Sequence, residues 1–521
     1  MSLVPIAFAI LAILVVYRIL RTHNTLKDVP GPTPSNWFLG YVYDLSPKPV
    51  GTLYREWSRT FGQTYKLRGP LGVPELVVGD PKGATHILNS PSFQRNYSDR
   101  VALEEFFGDG VFNAEGEHHK RQRAVLNTAF SPSNVREVAH VLFDLAERLT
   151  QEWEEEIRQA GPSGILSEIT SKMQRVAIDA ISMTTFSYTL SEDPQIPALI
   201  AKIADVPAST LTLIAESLVD AFPILYKVPS PMRDWTVLLR TELGKIADRI
   251  WKENEKSDGG GAMHSKLLDA MGSSKMITGE PMDRDTAIAN MCAVIFAGYE
   301  TTANILAECL YELAQKPSIQ DKLRTELNTF VDTTGREPTY DDLTGDALPY
   351  LDAVSREAMR TKAVLLTVTR AAVASDTIPL HFPVTSTGAT HVVVEPGQLV
   401  HVPVRDGIHV DSVIWGPDAE EFRPERWLEG DSALPEMVKM IRAPGHLLTF
   451  GDGPKTCLGR YFAMAEFKIV ISTIIRRFRI EDVEEKYDFY RQTSNTIKPR
   501  IRGREHEAPQ LNLRVKLVEE M

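Results

Sequence analysis

This sequence predicts a mainly α-helical fold with small β-sheets, built as one large domain (28–521) behind a short apolar N-terminal segment (1–27). Three observations predict it. Apolar residues recur at spacings of three and four through most of 120–330, as in VREVAHVLFDLAERLTQEWEEEIRQ and RDTAIANMCAVIFAGYETTANILAECLYELAQK. Strand-like patches are few and short, ELVVGD near the start and THVVVEPGQLVHVPV (390–404) late. The chain opens MSLVPIAFAILAILVVYRILRTHNTLKD, apolar from Leu3 to Tyr17, with Arg18, Arg21 and Lys27 after the run.

That opening is the first element. A cleaved signal peptide carries its positive charge ahead of the apolar run, and here the charge follows it. The order favours an uncleaved membrane anchor with everything downstream in the cytosol. The run sits at the short edge of the roughly 18–20 residues a full span needs, unless Arg18 snorkels to the interface. DVPGPTPSNWFLG (28–40), with three prolines, reads as a stiff hinge between anchor and body. EKSDGGGAMHSK (255–266) reads as a surface loop between helices.

Composition is that of an ordinary globular protein, 43% hydrophobic and 24% charged, and a net charge of −12 excludes a general nucleic-acid binder. Only three cysteines occur, Cys292, Cys309 and Cys457, so there is no disulfide framework.

Cys457 lies in FGDGPKTCLGR (450–460). The loop is not a Walker loop, because Pro454 precedes the lysine and has no N–H to donate; nor is it a dinucleotide loop, because Thr456 takes the place of the third glycine. The next residues have a helical apolar period, which puts Cys457 at or just before a helix N-terminus, where N–H groups and the dipole favour a thiolate. A lone cysteine cannot close a structural zinc site, but it suffices where a porphyrin supplies the other in-plane ligands. An inert buried cysteine in a turn is the equal alternative on this loop alone.

Two further stretches break local rules. AGYETT (297–302) puts Gly298, Thr301 and Thr302 mid-helix, where all are poor helix formers, and adds Glu300 beside Thr301, an acid and a hydroxyl suited to relaying protons. Close helix packing at Gly298 with a solvated Glu300 is the alternative. SREAMR spaces Glu357 and Arg360 three apart on one helical face, and FRPERW (422–427) adds Arg426. Alone, the spacing reads as a surface ion pair; with Arg426 it reads as a carboxylate locked between two guanidiniums.

Together, in this order and spacing, these stretches resemble the cytochrome P-450 family of haem-thiolate monooxygenases over nearly the whole chain. The resemblance implies haem b ligated through iron by Cys457, with Phe450, Gly453, Lys455 and Gly459 in the haem-binding loop. It implies Thr301 and Glu300 in the oxygen-activation groove and Glu357, Arg360 and Arg426 as the triad stabilising the proximal side. EHHKRQR fits the helix carrying a propionate arginine, Arg123, with His119 where many members have Trp, and Arg370 fits a second propionate partner. Two departures stand out. Lys455 replaces the usual Arg and gives up its forked geometry, and Ala363, Val364 and Leu366 replace the usual prolines.

The implied chemistry is insertion of one oxygen atom of O2 into a hydrophobic small molecule. Too few residues follow Cys457 for a flavin domain of about 100–150 residues. Electrons are therefore expected from a separate NADPH-dependent flavoprotein reductase, with a b-type cytochrome as a second donor, at a patch of Lys120, Arg121, Lys455 and Arg460. The implied location is the endoplasmic reticulum membrane. The segments expected to wall the pocket, EEFFGDGVF (104–112), CAVIFAG (292–298), LTVT (366–369) and TSNTI (493–497), hold no Lys or Arg, which favours a neutral apolar substrate. A terpenoid or other secondary metabolite is expected ahead of a fatty acid, a xenobiotic or a sterol, with Thr367, Thr369, Thr493 and Ser494 as orienting hydroxyls. A haem-thiolate isomerase or dehydratase acting without O2, and a haem sensor or carrier, are the other classes. Glu300 and Thr301 speak against both.

Overall fold

A computed structural model describes residues 24–518 apart from 194, 205–208, 257–266, 268–269, 272–273, 281 and 492–496. Most of the expected anchor, the glycine-rich loop and the 493–497 turn therefore lie outside the described residues. Among the described residues no helix is long and apolar enough to cross a membrane.

The helices that position the site run, in chain order, α1 (Tyr97–Phe107), α2 (Gly116–Ala129), α3 (Pro132–Ala160), α4 (Ile169–Phe186), α5 (Arg284–Gln315), α6 (Pro317–Thr334), α7 (Pro349–Thr361) and α8 (Arg460–Arg477). Their starts follow from local chemistry. Ser131 caps α3 by accepting from the Asn134 N–H, with Pro132 in the first turn where no N–H is needed. Asp283 caps α5, accepting from the Thr286 N–H at 2.9 Å and its hydroxyl at 2.7 Å. The apolar stripes of α3, α4, α5 and α8 turn inward on one another. Trp153 of α3 is wholly covered and meets Phe478 edge to face at 5.5 Å. Burial of each such side chain contributes roughly 1.5–3 kcal/mol.

A five-stranded sheet stands beside the helices in the order β1 (Thr64–Arg68), β2 (Pro74–Val78), β5 (Leu399–Pro403), β4 (Thr367–Ala372), β3 (Phe93–Gln94). β2 and β5 are parallel and the other neighbours antiparallel. β2 and β5 are the strands foreseen in ELVVGD and 390–404, where a second strand, His391–Val394, pairs with Asp376–Pro379. The three-stranded sheet of Ile165–Glu168, Asn512–Leu517 and Phe478–Glu481 and the hairpin Tyr487–Arg491/Ile497–Ile501 complete the fold. Along β4 the side chains alternate: Val368, Arg370 and Ala372 are buried on one face, Thr367, Thr369 and Ala371 half-covered on the other.

Candidate active site

The loop ahead of α8 is held by its own backbone. Gly451 N–H donates to the Leu448 carbonyl (2.8 Å), Cys457 N–H to Phe450 (2.7 Å) and Thr456 N–H to Gly453 (3.1 Å). Gly453 is required by the protein itself. Its φ is 68°, and a Cβ there would lie 2.3 Å from the Leu88 carbonyl oxygen. Gly459 differs: its φ is −88°, and a Cβ would meet no protein atom nearer than 4.0 Å.

Cys457, three residues before α8, is enclosed by the fold and yet uncovered at its own surface, so it lines an internal hollow. Burial pushes its thiol up, opposed by the Gly459 N–H and by the Arg123 and Arg460 guanidiniums. Cys292 and Cys309 are packed among apolar side chains on α5. Burial drives Cys292 to about 12 and Cys309 higher still, as expected of inert thiols.

α5 carries a second uncovered surface inside the helical body. It is buried almost all round between Met291 and Leu310, except for Phe296, Ala297, Gly298 and Thr301, which form one uncovered stripe. The Thr301 hydroxyl donates to the Ala297 carbonyl one turn back at 2.6 Å, the local exchange the sequence suggests. Gly298 serves packing, since a Cβ there would come within 2.7 Å of Ile181 on α4. Glu300 is not solvated. It is 2% exposed, and its Oε1 accepts from Lys498 Nζ at 2.8 Å and Asn304 Nδ2 at 3.3 Å, while Oε2 has no partner among the described residues. Two of the segments expected to wall the pocket, 104–112 and 292–298, meet here: Phe107 lies tilted against Phe296 (5.2 Å) and edge-on to Phe112 (5.8 Å).

Cations converge on the loop's flank. Arg370 is 9% exposed and donates to the neighbouring Thr369 carbonyl. Burial and then Arg95 bring it down to about 10. Burial lowers Arg123, which makes no hydrogen bond or ion pair among the described residues, while Cys457 opposes that shift. His119 is buried and held at about 4 by burial, then by Lys455, Arg123 and Arg95, so its ring is neutral. Lys455 turns inward, donating to the Ala114 carbonyl at 2.5 Å and pairing with Glu115 at 3.3 Å, and is lowered to about 8, chiefly by burial. It therefore leaves the surface patch in which the sequence grouped it with Lys120, Arg121 and Arg460.

Glu357 and Arg360 are not a surface pair. Both are fully buried. Arg360 donates twice to the carboxylate (2.7 and 2.9 Å), Arg426 Nε donates at 3.0 Å, Trp427 Nε1 at 2.9 Å and the Arg423 N–H at 2.8 Å. Burial raises Glu357, but the Arg360 and Arg426 contacts carry it below the usual carboxylate range. The lock reaches the cysteine loop through His409, whose Nδ1–H donates to the Arg360 carbonyl (3.0 Å) and whose Nε2 accepts the Leu448 N–H (2.8 Å).

Three residues escape a reading of the sequence. Arg95, whose Nε is buried without a partner, is a lone arginine in a loop; His409 and Lys498 sit in strand-like or irregular segments with no periodicity to flag them. Thr367 and Thr369, expected to orient substrate, lie on the face of β4 opposite Arg370; Thr493 and Ser494 lie outside the described residues.

The residues present fit a haem. An uncovered thiol, an orphaned buried guanidinium nitrogen at Arg95, and space beside Gly459 that a Cβ would fill are each without a purpose in the protein alone. That set, facing a groove helix, defines the haem-thiolate class of oxidoreductase. The chain belongs to the cytochrome P450 family, whose model its sequence matches over residues 30–501. It is 33% identical over 498 residues to cytochrome P450 monooxygenase claU of Ampulloclitocybe clavipes, covering 91% of this chain and 90% of that protein. Cytochrome P450 monooxygenase claW of the same fungus is 33% identical over 499 residues, covering 91% and 90%. Cytochrome P450 monooxygenase 128 of Postia placenta is 31% identical over 522 residues, covering 95% and 93%. The protein is a monooxygenase of a family that uses haem with cysteine-thiolate ligation, O2 and a redox partner.

Proposed function

We propose that this monooxygenase oxidises a neutral, largely apolar small molecule, a terpenoid or similar secondary metabolite, with Cys457 as the iron ligand. The observation that carries the reading is the uncovered stripe of α5, whose Phe296 joins Phe107 and Phe112 in an aromatic wall, while Arg240 beside it is spent on the Glu104 and Glu105 carbonyls. Such a wall favours apolar surface and offers nothing to a carboxylate.

Bound haem supplies O2 activation and oxygen insertion into a C–H bond. The chain does the rest. The Gly459 N–H and the Arg123 charge support a thiolate at Cys457. Arg95, Arg123 and Arg370 receive the propionates, flanked by neutral His119, while Lys455 stays tied to Glu115. Phe450 and Gly453 shape the loop, and Glu357, Arg360 and Arg426 lock its base. Thr301, with its own proton committed to Ala297, accepts a hydrogen bond on its remaining lone pairs, and the Glu300 carboxylate, paired with Lys498 through Oε1, offers its unpartnered Oε2 as an acceptor through which a proton is relayed. Electrons come from a separate NADPH-dependent flavoprotein reductase that docks near Lys120, Arg121 and Arg460. Residues 1–27 anchor the domain to the endoplasmic reticulum membrane with the body in the cytosol.

The test is co-expression with a reductase, followed by the reduced carbon monoxide spectrum and binding-induced spectral shifts. Cys457→Ala should lose the thiolate-type band while Cys292→Ala and Cys309→Ala keep it. Neutral terpenoids should shift the spectrum. Tight, coupled turnover of a free fatty acid with terpenoids silent would overturn the substrate assignment.

A further inference from the structure

The turn that joins α1 to α2 is fastened to α5 by a side chain that oxygen activation does not use. Asn290 is 0% exposed, and its Oδ1 accepts the Val111 N–H at 2.7 Å. It stands about two turns before Ala297, so it lies on the line of the uncovered stripe, at the stripe's N-terminal end. Asparagine is a poorer helix former than Ala or Leu, and a buried amide is kept where it has a partner. Here the partner is backbone from another element.

The loop is shaped to reach it. Gly108 has φ 95°, and a Cβ there would come within 3.1 Å of the Ala289 Cβ; a Cβ on Gly110 would meet Asn290 Oδ1 at 3.0 Å. Bare backbone on the loop and a small residue on α5 allow the close approach. Inside the turn, the Gly110 N–H donates to Asn113 Oδ1 (2.8 Å) and the Ala114 N–H to the Gly110 carbonyl (3.1 Å), while the Val111 N–H faces α5. The two ends are held from elsewhere. Arg240, on the helix Pro231–Lys256, donates to the Glu104 and Glu105 carbonyls (3.5 and 3.3 Å) in the last turn of α1, and Lys455 of the cysteine loop donates to the Ala114 carbonyl. Asn290 holds the middle.

That middle carries the aromatic wall. Phe107 and Phe112 flank the fastened residues, and Phe107 meets Phe296 of the stripe. Val111 is 8% exposed, so without the amide its N–H is buried and unpaired while the loop is down, and finds water when the loop lifts. Removing the amide therefore shifts the loop toward a lifted position and leaves the cysteine, the cation cluster and the Thr301 hydroxyl as they are. A ligand that needs the wall must bring the loop back, and its affinity falls with the fraction of protein still closed. A ligand too small to reach the wall loses nothing.

We propose that Asn290 is a positioning residue of the monooxygenase: it fastens the 108–114 loop to α5 and thereby sets where the Phe107 and Phe112 rings stand over the substrate. The inference rests on the reading of the α5 stripe as a wall of the substrate pocket, and names the side chain that fixes the facing wall.

Imidazole and 4-phenylimidazole test it on the haem-loaded full chain. Both bind haem iron through nitrogen with a spectral shift, and the second alone carries a ring out to the wall. Asn290→Ala should weaken 4-phenylimidazole about tenfold and leave imidazole within about twofold of the parent, with the haem-to-protein ratio and the thiolate-type carbon monoxide band unchanged. Gly110→Ala, which leaves Asn290 in place and presses on it from the loop side, should lower the same ratio of affinities by a smaller factor. A haem-loaded Asn290→Ala variant that keeps the parental ratio, or that weakens both ligands equally, overturns the inference, because the loop then stands without the amide or Asn290 supports only the fold. If Asn290→Ala does not load haem, Gly110→Ala decides, and a parental ratio there overturns it. Phe296→Ala separates the inference from the reading beneath it: a parental ratio in that variant overturns the stripe as a pocket wall, whereas a changed ratio there beside an unchanged one in Asn290→Ala overturns the inference alone.

Discussion

Lys498 donates to Glu300 across 2.8 Å in a pair whose side chains are 4% and 3% exposed. The lysine comes from the strand Ile497–Ile501 and the glutamate from the middle of α5, so the pair ties the C-terminal hairpin to the groove helix. Removing one partner leaves a charge buried without compensation, which costs roughly 3–5 kcal/mol. Lys498→Met should lower the melting temperature by several degrees, and adding Glu300→Gln should restore part of the loss. A single variant as stable as the parent would show that the pair carries no such tension.

The two loop glycines separate fold from cofactor. Gly453→Ala must place a side chain at φ 68° against the Leu88 carbonyl, so the haem-free protein itself should melt lower. Gly459→Ala has an ordinary φ and no protein atom in its way. Its haem-free stability should match the parent while its haem-to-protein ratio falls. Normal haem loading of Gly459→Ala would show that the cofactor does not need the space beside that glycine.

Helices were legible because a 3.6-residue period is local, and so were the loop before α8, the groove in AGYETT and the Glu357–Arg360 spacing, each a departure from local propensity. Partners far apart in the chain were not. Nothing in AGYETT announces Lys498, and nothing around Arg95 marks it as a neighbour of Arg370, because those meetings are made by tertiary packing. β4 was missed for a related reason: TVTRAA is short, mixed in polarity and ordered by β5 and β3 on either side. Its alternation also sends Thr369 away from the face where a linear reading of a pocket wall put it.

Thr301 should control protons and not haem binding. Thr301→Ala loses the bond to the Ala297 carbonyl and the uncovered hydroxyl of the stripe, while the loop and the cation cluster are untouched. Haem content and ligand binding should stay at parental levels, and NADPH electrons should be diverted into hydrogen peroxide. Equal coupling of NADPH to product in variant and parent would sink the role.

The ring of His409 sets an acid limit on the fold. Burial, then the Arg360 guanidinium, hold it down to about 3, and its two bonds require the neutral form: Nδ1–H to the Arg360 carbonyl, Nε2 from the Leu448 N–H. In the unfolded chain the ring protonates near its ordinary value of about 6.5. The folded value is the lower of the two, so as pH falls the unfolded state takes up the proton first. The contribution is fully present above about pH 6.5 and is lost progressively toward about pH 3, on the order of 5 kcal/mol at the bottom of that window. His119, held at about 4 by burial and the cations around it, has the same sign. Glu216, raised to about 7 by burial and Asp220 against the opposing pull of Arg491, has the opposite sign and loses stability as pH rises toward that value. Comparing parent with His409→Gln cancels both. Melting temperatures measured from pH 7.5 down to 4 should fall less steeply in the variant, which starts lower at pH 7.5 because one of its two bonds is lost. Parallel slopes in the two proteins would show that His409 does not couple folding to pH.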